Sequence, residues 1–175
     1  LTLTTLAAMQ FRSRPIDDEA AEAIASWRYP GVYAFYDLDR DPEDVKLVSD
    51  PARRAGRWFA VDDAGSGELV GFYEVKPRAG GEVELGLGLR PDLNGRGLGL
   101  GFVNEGIRFV REELGHDRIV LLVAVFNDRA RKVYERAGFR RRGTQLLGVG
   151  GEVVEFLEME LADRGPRPRV SRALE

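Results

Sequence analysis

The chain predicts a mixed α/β protein built on one mostly antiparallel sheet with helices packed against it. Three observations carry this. Between residues 58 and 89, short apolar runs alternate with the turn clusters D-D-A-G-S-G and P-R-A-G-G, the mark of hairpins. From Leu100 the apolar period changes to steps of three and four, a helical stripe through Val103, Ile107, Val110 and Leu114. Residues 119–125, I-V-L-L-V-A-V, are nearly all β-branched or aliphatic, as in a strand buried on both faces.

The elements follow in order. Residues 10–14 alternate weakly and read as a first strand. Asp17 and Asp18 precede a helix whose Ala20, Ala23, Ile24 and Trp27 share one face, and acidic residues in a first turn suit the helix dipole. An aromatic stretch broken by Pro30-Gly31 comes next, then an acidic one, with Pro42 placed to open a short helix towards Arg54. Strands are expected at 58–61, 69–76 and 82–89, and the amphipathic helix after them stops at Gly115. Residues 128–137 read as a helix ended by Gly138, and 140–147 with 153–161 as a hairpin around G-V-G-G.

Bulk properties narrow the function. At 175 residues one domain is expected, and 43% hydrophobic with 31% charged residues is ordinary for a globular chain. A net charge of −3 gives no basis for nucleic-acid binding. The chain has no cysteine and one histidine, so a thiolate metal site, a cysteine nucleophile and a two-histidine motif are all excluded, and no metal is expected. No apolar run approaches the roughly 20 residues that cross a bilayer, and the first residues lack a signal peptide's basic segment, so a cytoplasmic protein that engages no membrane is expected. Residues 1–8, ahead of Met9, are expected to be an extension or a cloning remnant. Residues 9–162 form the domain, and the basic, proline-containing 163–175 a mobile tail.

The densest signal is residues 85–101, L-G-L-G-L-R-P-D-L-N-G-R-G-L-G-L-G: a strand, a glycine loop and a helix start in succession. Glycines let main chain approach a ligand, and free N–H groups at a helix start attract anions. The dinucleotide fingerprint G-x-G-x-x-G fits no register, since Phe102 stands where its last glycine belongs. No lysine follows a glycine, which excludes the Walker loop.

This loop resembles the acetyl-CoA-binding motif of the GNAT N-acetyltransferase superfamily, Gln/Arg-x-x-Gly-x-Gly/Ala. Gly97 and Gly99 match, and Asn94 stands at the leading Gln/Arg position. Residues 122–139, L-V-A-V-F-N-D-R-A-R-K-V-Y-E-R-A-G-F, resemble the family's later signature through Val123, Asn127, Ala130, Tyr134, Gly138 and Phe139. The W-R-Y-P stretch and the loop together look like bacterial members of unassigned substrate. The resemblance spans about residues 10–161 and implies the family's fold, in which strands 82–89 and 119–125 are a central splayed parallel pair.

It further implies an enzyme that moves an acetyl group from acetyl-CoA, its co-substrate, to a primary amine by direct attack. The coenzyme's pyrophosphate would lie on the amides of Asn94, Gly95, Arg96, Gly97, Leu98 and Gly99, with Arg96 adding a charged contact. Its arm would pair with Leu87 and Leu89 in the splay, where one of their amides meets the oxyanion. Asn127 would hold the arm, cap the following helix, or both. Tyr134 is the expected acid for the departing thiolate, a phenol near pKa 10 facing a thiol near about 8.5. It also shares a helix face with Ala130, Val133 and Ala137, so a packing role competes. Glu84 is the candidate base, against an ordinary exposed glutamate or a base relayed by water. Trp27, Tyr29, Tyr33 and Tyr36 are expected to line the acceptor side, with Phe35 beside them, against a local hydrophobic cluster. The acceptor would be a small-molecule or peptide amine, and a homodimer is compatible with the reading. A catalytically silent acyl-CoA-binding module is the alternative.

Overall fold

The computed structural model describes residues 8–162. The expected tail, and all but Ala8 of the expected extension, lie outside the described residues. The first strand, β1 (Phe11–Pro15), leads into α1 (Asp18–Ser26), whose N-terminus is capped by Asp17 accepting from Ala20 N–H at 2.8 Å. A 3₁₀ turn, Gly31–Tyr36, and a shorter one, Leu38–Arg40, carry the aromatic stretch.

The single helix expected from Pro42 to Arg54 is two, α2 (Pro42–Ser49) and α3 (Pro51–Arg54). The residue before a proline is pushed out of the helical region, and Asp50 is extended at φ −95°, ψ 111°. Each helix starts with the same device, an aspartate cap followed by proline.

Strands β2 (Trp58–Asp63), β3 (Leu69–Pro77) and β4 (Val83–Leu89) form the expected meander. Helix α4 (Gly99–Arg108) continues as one π turn, Phe109–Glu113, before Gly115. Then come β5 (Ile119–Ala124), α5 (Asp128–Ala137), β6 (Phe139–Val149) and β7 (Glu152–Leu161). The described residues form a seven-stranded sheet in the order β1-β2-β3-β4-β5-β7-β6. Its neighbours are antiparallel except β4 and β5, which run parallel and pair only at Val83↔Ile119 and Glu84↔Val120.

One face carries the larger core, where Phe102, Val103 and Ile107 of α4 pack on Val61, Tyr73, Leu85, Leu121 and Met159. The other face is covered by α1 and α2 over its β1–β3 half, through Ile24, Val48, Trp58 and Ala60. The Phe102 ring of α4 lies directly on the sheet where Gly71 has no side chain. A Cβ there would lie 2.6 Å from the Phe102 ring and 2.8 Å from the Gly88 carbonyl oxygen, and neither backbone nor buried ring has room to move. Gly71→Ala is therefore expected to lower stability by about 1–3 kcal/mol, the range for overpacking a core, read as an earlier thermal transition by circular dichroism.

Candidate functional site

The site is organised by the direction of main-chain groups where β4 leaves β5. Val83 N–H donates to the Arg118 carbonyl beside β5 at 3.0 Å, whereas Arg90 N–H donates to Val70 on β3 at 2.8 Å. Hydrogen-bonding direction alternates along a strand, so Leu87 and Leu89 turn N–H and C=O to the same side as Val83. Pairing with β5 extends no further than Glu84↔Val120, and the gap between the strands therefore receives the groups of Leu87 and Leu89. On the opposite arm Val125 N–H donates to Glu155 on the β7 side at 3.1 Å, which turns Ala124 N–H into the gap.

Two tyrosines from the segment after α1 reach the two arms. Tyr29 donates its hydroxyl hydrogen to the Leu89 carbonyl at 2.8 Å. Tyr36 accepts from the Asn127 side-chain amide at 3.1 Å. Burial raises both phenols above the usual tyrosine range; for Tyr36, donation from Asn127 and from the Ala124 N–H works against it. Between them the 3₁₀ turn is pinned by rings. Phe35 meets Phe126 edge-on at 5.4 Å and Phe156 at 5.9 Å, and the Arg129 guanidinium lies 4.3 Å from the centre of Tyr33. Residues 29–36 thus strap the mouth of the gap. Trp27 lies apart from this strap, packed on Phe72 at 6.3 Å in the smaller core cluster.

The glycine loop stands at the end of β4. Gly95 and Gly97 have φ of +75° and +78°, a region that favours glycine, and both are exposed with Arg96 between them. No side chain caps the N-terminus of α4, so its first amides and the positive end of its dipole are open. Asn94 is turned inward, its amide 3.4 Å from the Arg90 carbonyl and 3.5 Å from those of Leu89 and Pro91. It shapes the loop while the backbone faces out. Gly99 brings the start of α4 against Val133, with 3.4 Å from an ideal Cβ to that side chain, so loop and α5 are neighbours.

Helix α5 presents Tyr134 and Asn127 at this junction. The Asn127 side-chain carbonyl accepts from Ala130 N–H at 3.1 Å, capping α5, while its amide reaches Tyr36. Asn127 thus caps α5 and ties it to the strap through the Tyr36 hydroxyl. Tyr134 is half-buried against Phe139, their ring centres 6.1 Å apart. Burial, then the nearby Tyr36 phenol, hold its hydroxyl well above the usual tyrosine range. It stays protonated under ordinary conditions, as a proton donor must.

Glu84 lies on the α1 and α2 face of β4, with Lys76 Nζ 3.4 Å from one carboxylate oxygen and Arg78 Nε 3.4 Å from the other. Only the Lys76 contact is a hydrogen bond; Arg78 makes an ion pair. The sequence reading passed over Glu74, which stands opposite Gly86 in the β3–β4 register. Its signal is an acid, with Lys76 two residues on, in a mostly apolar strand, L-V-G-F-Y-E-V-K-P. Among the described residues no cluster of three or more His, Cys, Asp or Glu could hold a metal, and no helix is long and apolar enough to cross a membrane.

Comparison with known proteins agrees with this architecture. Residues 11–140 match the family model described as acetyltransferase (GNAT) domain. A mycothiol acetyltransferase of Streptomyces coelicolor is 40% identical over 140 residues, covering 76% of this chain and 43% of that protein. The mycothiol acetyltransferase of Salinispora tropica is 39% identical over 103 residues, 51% of this chain and 33% of that one. The chain thus spans only some 33–43% of the length of these relatives. Among solved structures, spermidine N-acetyltransferase from Vibrio cholerae, in complex with CoA and spermine, superposes with TM-score 0.70 at 19% identity, over 87% of this chain and 95% of that one. An acetyltransferase (GNAT family) from Bacillus anthracis gives 0.66 at 20%, over 89% and 96%.

Asn127 separates capping from contact with the strap. Asn127→Ala is expected to lower stability by about 1–2 kcal/mol, as for loss of a helix cap. Asn127→Asp keeps the capping oxygen and should lose distinctly less, both measured by urea denaturation.

Proposed function

The chain belongs to the GNAT acetyltransferase family, and on that premise we propose that it transfers an acetyl group from acetyl-CoA to a primary amine by direct attack in a ternary complex. The observation that carries this reading is the run of Leu87 and Leu89 main-chain groups turned into an unpaired gap between an uncapped helix N-terminus and Tyr134. An extended amide-bearing arm fits such a gap as a partial extra strand, and a pyrophosphate fits the open amides of residues 94–99 beside Arg96. No metal enters the reaction proposed.

The chemistry then assigns roles to the chain's own groups. The Leu87 or Leu89 N–H meets the oxygen that becomes negative as the neutral amine attacks the thioester carbonyl. Asn127 holds the arm, and the C–S bond breaks with the electron pair leaving on sulfur. Tyr134 passes its proton to that thiolate and is reprotonated, through water, by the proton the new amide nitrogen gives up. The acceptor approaches from the α1 side, past Tyr29, Tyr33 and Tyr36. Trp27 supports this wall from behind through Phe72. Glu84, flanked by Lys76 and Arg78, shapes the field there, and its role as base would compete with those cations.

A release assay for free thiol, run with acetyl-CoA and a panel of spermidine, an aminoglycoside, amino acids and a short peptide, tests activity and acceptor class together. Turnover with at least one amine is expected; a rise in melting temperature with acetyl-CoA and no turnover with any would establish the silent binding module instead. Tyr134→Phe should cut kcat by about 10²-fold or more while leaving the acetyl-CoA thermal shift in place. Because the Tyr134 phenol is raised, its acid form survives to higher pH than a free tyrosine's. The kcat profile of the wild-type chain should therefore show no fall from its deprotonation below about pH 10.

A further inference from the structure

The face of β4 turned towards α1 carries two glycines with opposite fates. Over Gly88 the space is filled, since a Cβ there would meet the Phe72 ring at 2.5 Å and the Tyr29 hydroxyl at 3.3 Å. Over Gly86 there is no ring. An ideal Cβ on Gly86 would stand at an ordinary 3.4 Å from Glu74, from both its Cβ and its Oε2. The Glu74 carboxylate therefore leans across bare backbone, one residue from Leu87.

Its two oxygens are unequally engaged. Oε1 takes both Arg57 Nε and Nη2 at 2.8 Å. Oε2 has Lys76 Nζ at 3.9 Å, outside hydrogen-bond reach. Arg57 thus fixes the carboxylate through Oε1, while Oε2, over Gly86, keeps its accepting capacity. The side chain is only 13% exposed, so a hydrogen bond made there is shielded from water. Asp44 senses the negative charge there: burial first, then the charges of Glu74 and Asp41, push its carboxyl up.

We propose that Glu74 is the acceptor-binding carboxylate, its Oε2 receiving the nitrogen of a cationic primary amine over the Gly86 backbone. This rests on the acetyltransferase reading and deepens it, naming the substrate class as an amine that arrives charged. The ammonium is held by Oε2, releases one proton to water and is left facing the gap beside Leu87. Glu74 therefore sets acceptor affinity, whereas coenzyme binding lies on the other side of β4.

The test is a split of kinetic constants in the full chain, using the best amine of the thiol-release panel. Glu74→Gln should raise the amine KM roughly tenfold or more, as for loss of one charge-assisted hydrogen bond, with the acetyl-CoA KM unchanged. Gly86→Ala places a methyl group where the amine would sit and should raise the amine KM in the same direction, with an unaltered acetyl-CoA thermal shift as its check on folding. Glu84→Gln should raise it less than Glu74→Gln. An amine KM unchanged in both Glu74→Gln and Gly86→Ala, or a larger effect from Glu84→Gln, overturns this assignment while leaving the acetyltransferase reading standing. Absence of turnover by the wild-type chain with every amine overturns that reading and this assignment with it.

Discussion

Two parallel strands that hydrogen-bond at their start and then part create the central constraint. A main-chain group left without a partner inside a protein costs as much as a lost hydrogen bond, so a sheet that opens must supply other partners. Here the supply is partial. Tyr29 takes the Leu89 carbonyl, and Tyr36 sits against the Ala124 N–H on the opposite arm. What remains turned into the gap, at Leu87 and Leu89, has the alternating donor and acceptor character of a strand edge. Such an edge selects a ligand that itself carries amides in an extended line. The splay is thus both a cost of the fold and the feature on which the proposed binding rests.

Missing side chains do the positioning on either side of this edge. At Gly71 the missing Cβ lets the Phe102 ring and α4 close on the sheet, and at Gly88 it lets Phe72 cover the strand from the other face. Strand β4 is therefore clamped between rings at its far end and left bare at Gly86, its middle. Rigid support next to an open stretch is the arrangement a reacting group needs, because the scaffold around it cannot relax away.

Much of this was legible in the sequence, and the parts that were not share a physical reason. Strands β2 to β4, the α4 stripe and α5 with its Asn127 and Gly138 caps follow from periods and capping chemistry that act within a few residues. The break at Asp50-Pro51 is local as well, since proline restrains the residue before it. By contrast, Tyr29 meets a carbonyl 60 positions away and Tyr36 an amide 91 positions away, pairings no local pattern encodes. The same holds for the charges. Glu84 stands out by alternating with Glu82, but only the folded register shows Lys76 and Arg78 flanking its carboxylate, with Glu74 leaning over a glycine.

The strap differs from the rest of the molecule in what holds it. No residue of the 3₁₀ turn Gly31–Tyr36 is buried, and the strap is tied by ring contacts, the Arg129–Tyr33 contact and bonds at the Tyr29 and Tyr36 hydroxyls, with the Arg40–Glu152 pair beside it. Lifting it breaks those few contacts and leaves both apolar clusters intact, so its opening belongs to the local end of the stability scale. Breathing of this segment and melting of the sheet are then separate events with separate free energies. A variant hardened in the α4 core would tolerate more heat, yet the few ties that hold the strap over the gap would be no stronger than before.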